Sequence, residues 1–142
     1  MNRYFRICLA VCVTFVLLFA LSAHADEKKE KQASAAAKKW LDLVDKGKYA
    51  ESWDTAASMF KSSVTKDAWE QSVGAVRKNL GPVKKRKLGI IQYTKTLPGA
   101  PDGEYVVIQY ESTFENKQSA EETVTPMLDK DGKWRVSGYY IK

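Results

Sequence analysis

TKDAWEQSVGAVRKNLGPVKKRKLGIIQYT, residues 65–94, changes its period half way along. Up to Leu80 the apolar residues Trp69, Val73, Val76 and Leu80 recur at four, three and four, the spacing of one helix face, and Thr65 is placed to cap the first turn. Gly81-Pro82 stops that pattern, and from Val83 onward apolar and polar residues alternate. Helices first and strands afterwards predict an α+β fold, in which N-terminal helices pack on one antiparallel sheet.

Upstream of this stretch the helical period recurs. Ala37, Trp40, Leu41 and Val44 mark one face of a helix over Ala33–Lys46, which Gly47 ends, and residues 26–32 read as a polar lead-in. Tyr49, Trp53 and Ala56 continue on a second short helix, so that Trp40 and Trp53 enter one core from a bent helical pair. Downstream, the alternation predicts four strands, roughly Val83–Thr96, Glu104–Glu115, Ala120–Leu128 and Lys133–Ile141. Their connections carry turn chemistry: Pro98-Gly99-Ala100-Pro101-Asp102-Gly103, then Asn116-Lys117, then Asp129-Lys130-Asp131-Gly132. Such short links make a four-stranded meander. In the second strand Val106, Ile108, Tyr110 and Phe114 share one face, with Tyr105 and Val107 on the other, and Pro126 calls for an edge or a bulge in the third strand.

The first 25 residues have a different character. Arg3 and Arg6 precede an apolar run from Ile7 to Leu21, closed by Ala23-His24-Ala25, the three-part pattern of a secretory signal peptide with cleavage expected after Ala25. The run is shorter than the roughly 20 residues that span a bilayer, so no stable membrane span is expected after cleavage. Cys12 is not placed as a lipoprotein cysteine, and the protein is expected in the periplasm or the medium. Domain organisation then reads as a signal peptide over 1–25, the lead-in over 26–32 and a single domain over 33–142. Because Cys8, Cys12 and His24 all fall in the segment to be removed, the mature chain offers no thiol, imidazole, disulfide or His/Cys metal site. No cofactor, metal ligand or catalytic residue is assigned. Asp129-x-Asp131-Gly132 is too short for a calcium loop and reads as a hairpin turn.

Without Arg3 and Arg6 the chain carries 21 basic and 17 acidic residues, a net charge of +4. Their layout is uneven. No acid lies between Gln71 and Pro101, where Arg77, Lys78, Lys84, Lys85, Arg86, Lys87 and Lys95 fall, whereas Asp102–Asp131 holds eight acids against Lys117 and Lys130. Cross-strand pairs of opposite charge explain this economically. The alternative is a basic patch, Lys84, Lys85, Arg86 and Lys87, aimed at an anionic surface. Nucleic acid is not an expected partner, since no nucleic-acid motif accompanies the charge.

Trp40-Leu41-x-Leu43-Val44-Asp45-x-Gly47-x-Tyr49-x-x-Ser52-Trp53, with Asp131-Gly132-Lys133-Trp134-Arg135-Val136-x-Gly138-Tyr139 far downstream, resembles the opening and closing of nuclear-transport-factor-2-like, cone-shaped domains of the cystatin-like α+β class. Residues 97–108, with Glu122-Thr123-Val124-Thr125, resemble the bacterial secreted family known as domain of unknown function 4019. The resemblance implies a curved four-stranded sheet enclosing a pocket against the helices; the family name carries no activity. The leading expectation is a non-enzymatic binding domain whose ligand, a small molecule or an envelope protein, sits in the cone pocket or on the sheet face, with Trp53, Tyr93, Tyr110, Trp134 and Tyr139 as candidate ligand residues. An exposed sheet face would also favour a homodimer. One alternative is an isomerase or hydratase using a buried Asp with Tyr donors, although Asp42, Asp45 and Asp54 read as solvated helix positions. Another is an envelope or inhibitory protein acting through protein contacts and the basic patch, with binding weakened by salt.

Overall fold

A computed structural model describes residues 25–142; the segment read as a signal peptide, residues 1–25, lies outside the described residues except for Ala25. Helix α1 covers residues 25–45, and its stripe of Ala33, Ala37, Trp40, Leu41 and Val44 is buried. Gly47 ends it with a positive φ of 71°, which lets the Gly47 and Lys48 amides reach back to the Val44 and Leu43 carbonyls. Residues 26–32, the polar lead-in, form the first turns of this helix. Their register is fixed from across the molecule: Lys29 pairs with Glu104 at 2.8 Å and bonds the Tyr93 hydroxyl at 2.9 Å, while Glu30 accepts the Tyr93 amide at 3.0 Å.

The single short helix expected next is two helices, α2 (Tyr49–Asp54) and α3 (Ser58–Ser63), with Ala56 in the link between them. The start of α3 is held by Asp129, which accepts the Ser58 amide at 3.0 Å and the Ser58 hydroxyl at 2.6 Å. That partner is remote in sequence, which is why no local pattern announces the helix.

Helix α4 (Lys66–Leu80) is capped as its sequence requires, the Thr65 side chain accepting the Ala68 amide at 3.3 Å. Its buried face is displaced from the expected one. Trp69 and Val73 are inside, but the third position is Arg77, and Val76 is 45 % exposed. Arg77 is tolerated there because Asp45 accepts from it at 2.9 Å and its guanidinium lies 4.9 Å from the centre of the Phe114 ring.

Strands β1 (Val83–Thr94), β2 (Tyr105–Phe114), β3 (Lys117–Leu128) and β4 (Trp134–Ile141) form one antiparallel sheet in the order β1-β2-β3-β4. This is the expected meander, with β1 ending two residues early and β3 beginning three residues early. Pro126 sits at a register shift against β4, so its position in a central strand is accommodated by a bulge. The α+β reading thus holds: helices followed by a four-stranded antiparallel sheet.

The core lies between the helices and the sheet face that carries Val106, Ile108, Tyr110, Val124 and Val136. At its centre the Trp40 and Trp69 rings are 5.7 Å apart, Tyr139 lies 5.3 Å from Trp40, and Phe60 meets Trp69 edge-on at 5.0 Å. Ser52, fully buried, serves both indoles: its carbonyl accepts the Trp40 N–H at 2.8 Å and its hydroxyl accepts the Trp69 N–H at 3.0 Å. Ser52→Ala leaves the Trp69 donor unpaired in the core and is expected to cost about 1–3 kcal/mol, read from urea unfolding midpoints at constant slope.

Candidate functional site

The sheet and helices bring together a polar cluster to which α1, α4 and all four strands each contribute one residue: Asp45, Arg77, Arg86, Ser112, Glu122 and Tyr139. Glu122, with no exposed surface, accepts Arg86 Nε at 2.7 Å and the Ser112 hydroxyl at 2.5 Å on one oxygen, and the Tyr139 hydroxyl at 2.6 Å on the other. Arg77 Nη1 stands 3.8 Å from the same carboxylate. Arg86 also makes two bonds to Asp45, at 2.8 and 3.1 Å. Two cations and two anions therefore balance inside the fold.

The electrostatics follow from this geometry. Burial raises the cost of the Glu122 charge, but Arg86, Ser112 and Tyr139 outweigh it and hold the carboxyl below its ordinary range. Burial likewise opposes the charge of Arg86, and its bonds to Asp45 and Glu122 more than restore it. Tyr139 is pushed well above the usual tyrosine value, first by burial and then by the neighbouring Glu122 charge. A general base working near neutral pH needs a raised carboxyl pKa, and Glu122 is moved the other way. The cluster is built to clasp six elements.

A group whose folded pKa is depressed stabilises the fold above its unfolded pKa, and that contribution is lost as the pH falls through the folded value. Stability is accordingly expected to stay level from pH 7 to about 5 and to fall steeply below about pH 4. Asp129, held down by its bonds to Ser58, acts in the same direction. Urea midpoints across this range check the expectation; a plateau persisting to pH 3 would contradict it.

Of the candidate ligand residues, Tyr110 is buried in the core, and Trp53, Tyr93, Trp134 and Tyr139 pack half-buried against it. Trp53 Nε1 is committed to the Val64 carbonyl at 2.8 Å, Tyr93 to Lys29 and Tyr139 to Glu122. They are distributed around the core margin and do not converge on one enclosed cavity. Trp134 lines a broad groove with Leu43, Ala36 and Lys39 of α1, Tyr139 lines a separate groove with Trp69 and Val73, and Tyr110 lines another beside Asp45 and Arg86.

The run Lys84, Lys85, Arg86 and Lys87 is not one patch. Arg86 turns inward to the ion cluster, while Lys84 pairs with Glu115 at 3.0 Å and Lys87 with Glu111 at 3.4 Å on the neighbouring strand. Lys84, Arg86 and Lys87 each meet an acid of the Asp102–Asp131 stretch, so part of the uneven charge layout is pairing across the sheet. Asp42 and Asp54 are exposed as expected, but Asp45 belongs to the cluster. Asp129 and Asp131 serve the hairpin turn: Asp129 holds Ser58, and Asp131 holds Arg135 at 2.7 Å.

The sheet face turned away from the helices is a second candidate. Register pairs place Ile90, Gln109, Thr123 and Tyr140 in one row across all four strands, with Ile90 53 % and Tyr140 62 % exposed. The adjacent row reads Lys87, Glu111, Glu121, Lys142. Glu111 and Glu121 are directly opposed on β2 and β3, and each is paired outward to an edge lysine, Lys87 or Lys142. The residues expected for a ligand in the pocket or on the sheet face, Trp53, Tyr93, Tyr110, Trp134 and Tyr139, are absent from both rows, although the alternation that marks Val106, Ile108 and Tyr110 as inward marks Gln109 and Glu111 as outward by the same parity.

The family model described as "Protein of unknown function (DUF4019)" matches residues 36–139. No curated protein matches the chain. Among solved structures, a protein from Catenulispora acidiphila is similar with a TM-score of 0.49 and 11 % identity, covering 88 % of this chain and 94 % of its own.

Proposed function

We propose, for a chain that belongs to the DUF4019 family of proteins of unknown function, that it is an exported, non-enzymatic binding domain whose working surface is the open face of its sheet. The observation that carries this is the contrast between the two faces of the sheet. On the helix side the space between layers is filled by Trp40, Trp69, Phe60 and Tyr139, and the buried Glu122 carboxylate is neutralised by arginines. On the other side the exposed side chains of Ile90 and Tyr140 flank Gln109 and Thr123, beside a depression of about 610 Å³ bordered by Lys85, Glu111, Glu121 and Lys142.

The chemistry of the face selects its partner. Like charges directly opposite on adjacent strands destabilise each other, so Glu111 and Glu121 favour a cation placed between them. The partner is therefore a protein surface presenting an apolar anchor to the Ile90–Tyr140 row and a Lys or Arg to the glutamate pair. A second copy stacked in register would bring glutamate pairs onto glutamate pairs, which makes a different protein the better fit. Export is supported by Arg3, Arg6, the apolar run and Ala23-His24-Ala25. Cleavage after Ala25 would keep Lys29 and Glu30, and hence the docking of α1 on β1. Among the described residues no helix is long and apolar enough to cross a membrane.

The test is site-specific photo-crosslinking in the producing cell, with benzoylphenylalanine in place of Thr123 on the open face or Lys38 on α1. A discrete adduct from Thr123 that disappears with Glu121→Lys, and no such adduct from Lys38, is the expected result. Adducts from Lys38 only, or none from either site, would overturn the reading, and N-terminal sequencing of the exported protein should begin at Asp26.

A further inference from the structure

The two edges of the sheet are protected unequally. On β1 the outward Tyr93 amide is taken by the Glu30 carboxylate, and the strand carries Lys84, Lys85 and Lys87, charges of the kind that discourage strand addition. On β4 the upstream part is covered, since the Val136 carbonyl accepts the Ala57 amide at 2.8 Å. The downstream part, Gly138-Tyr139-Tyr140-Ile141, carries neither charge nor proline.

Glu121 and Lys142 exchange both backbone bonds, at 3.0 and 3.1 Å. By the alternation of an antiparallel ladder, Tyr140 and Lys142 then face β3, and the amides and carbonyls of Tyr139 and Ile141 point away from the sheet. Beside them runs an apolar groove of about 240 Å³ lined by Trp69, Val73, Val76, Tyr139 and Ile141. Val76 and Tyr140, two of the four large apolar residues that are well exposed among the described residues, stand on its rim.

We infer that this edge pairs with the same edge of a second copy, joining two sheets into one of eight strands. A two-fold axis through Tyr140 sets Tyr139 of one protomer opposite Ile141 of its partner, so that each outward donor meets an acceptor and the pairing closes on itself. The segment brings no like charges together, Lys142 lying opposite Gly138. The axis also places each Ile141 side chain toward the partner's Val76, covering both grooves. The displaced buried face of α4 acquires a purpose here: Arg77 turns inward to the ion cluster, and Val76 is left outside where the partner strand arrives. This goes beyond the reading of the open face, because edge pairing leaves that face free and doubles its width.

Sedimentation equilibrium of the mature protein, combined with residue-resolved amide hydrogen exchange, tests the inference. The expected result is a dimer in which the Tyr139 and Ile141 amides are protected although, among the described residues, neither has a partner within one chain. Ile141→Pro removes the outward N–H and the side chain that meets the partner's Val76 while taking no hydrogen bond from β3, so it should give a monomer in which the Tyr139 amide exchanges at least tenfold faster. Val76→Glu, at an exposed helix position, should give the same outcome without touching the strand. A monomer up to several hundred micromolar, or a dimer that survives both substitutions, would overturn the inference. Neither result depends on crosslinking at Thr123, so this proposal and the open-face reading fail separately.

Discussion

Replacing Glu122 by alanine is expected to destabilise the fold by about 3–5 kcal/mol, the cost of leaving buried arginine charge without its partner. Arg86 loses its Nε acceptor, Ser112 and Tyr139 lose theirs, and Arg77 loses the nearest charge to its otherwise unpartnered Nη1. Asp45 still pairs with both arginines, but it cannot balance two cations alone. The magnitude is a large part of the roughly 5–15 kcal/mol that holds a domain of this size. Urea unfolding of Glu122→Ala at pH 7 measures it directly. A double replacement, Glu122→Leu with Arg86→Met, should be less damaging than the sum of the singles, because a buried pair exchanged for apolar groups removes the desolvation cost as well as the attraction. Additive losses would mean that Glu122 and Arg86 act independently, against the geometry.

The same cluster shows which parts of the fold are legible in the sequence. The period change at Gly81-Pro82 and the turn chemistry after it give the element order and the meander, because both are local. Glu122 was legible too: Ala120, Glu122, Val124 and Pro126 alternate with Glu121, Thr123 and Thr125, so strand parity alone puts Glu122 on the buried face. Arg86 was harder, since the register shift between Leu88 and Ile90 breaks the parity of β1 in its middle. At Val76 and Arg77 the helical period allows either residue inside, and the choice is made by Asp45 on another helix. Helix α3 was not legible because Asp129, remote in sequence, holds its start. Information missing from the local pattern is held in polar contacts between distant segments, and the cluster and the cap of α3 are both of that kind.

Trp69→Ala is the second large effect, expected to cost about 3–5 kcal/mol through lost transfer energy and an unfilled cavity. Trp69 meets Phe60 at 5.0 Å, Trp40 at 5.7 Å and Tyr139 at 6.2 Å, and its indole N–H is paired with Ser52. These neighbours are held from α1, α2, α3 and β4, so the space can collapse only partly. The variant also decides whether the interior is a ligand pocket. If the aromatic side chains fill it, indole added to Trp69→Ala should raise the unfolding midpoint, because an apolar cavity of that shape takes an apolar guest, and indole added to the unmodified protein should leave the midpoint unchanged. Stabilisation of the unmodified protein by indole would mean that the space between helices and sheet admits ligands as it stands, and the working surface would then have to be sought on the helix side of the sheet.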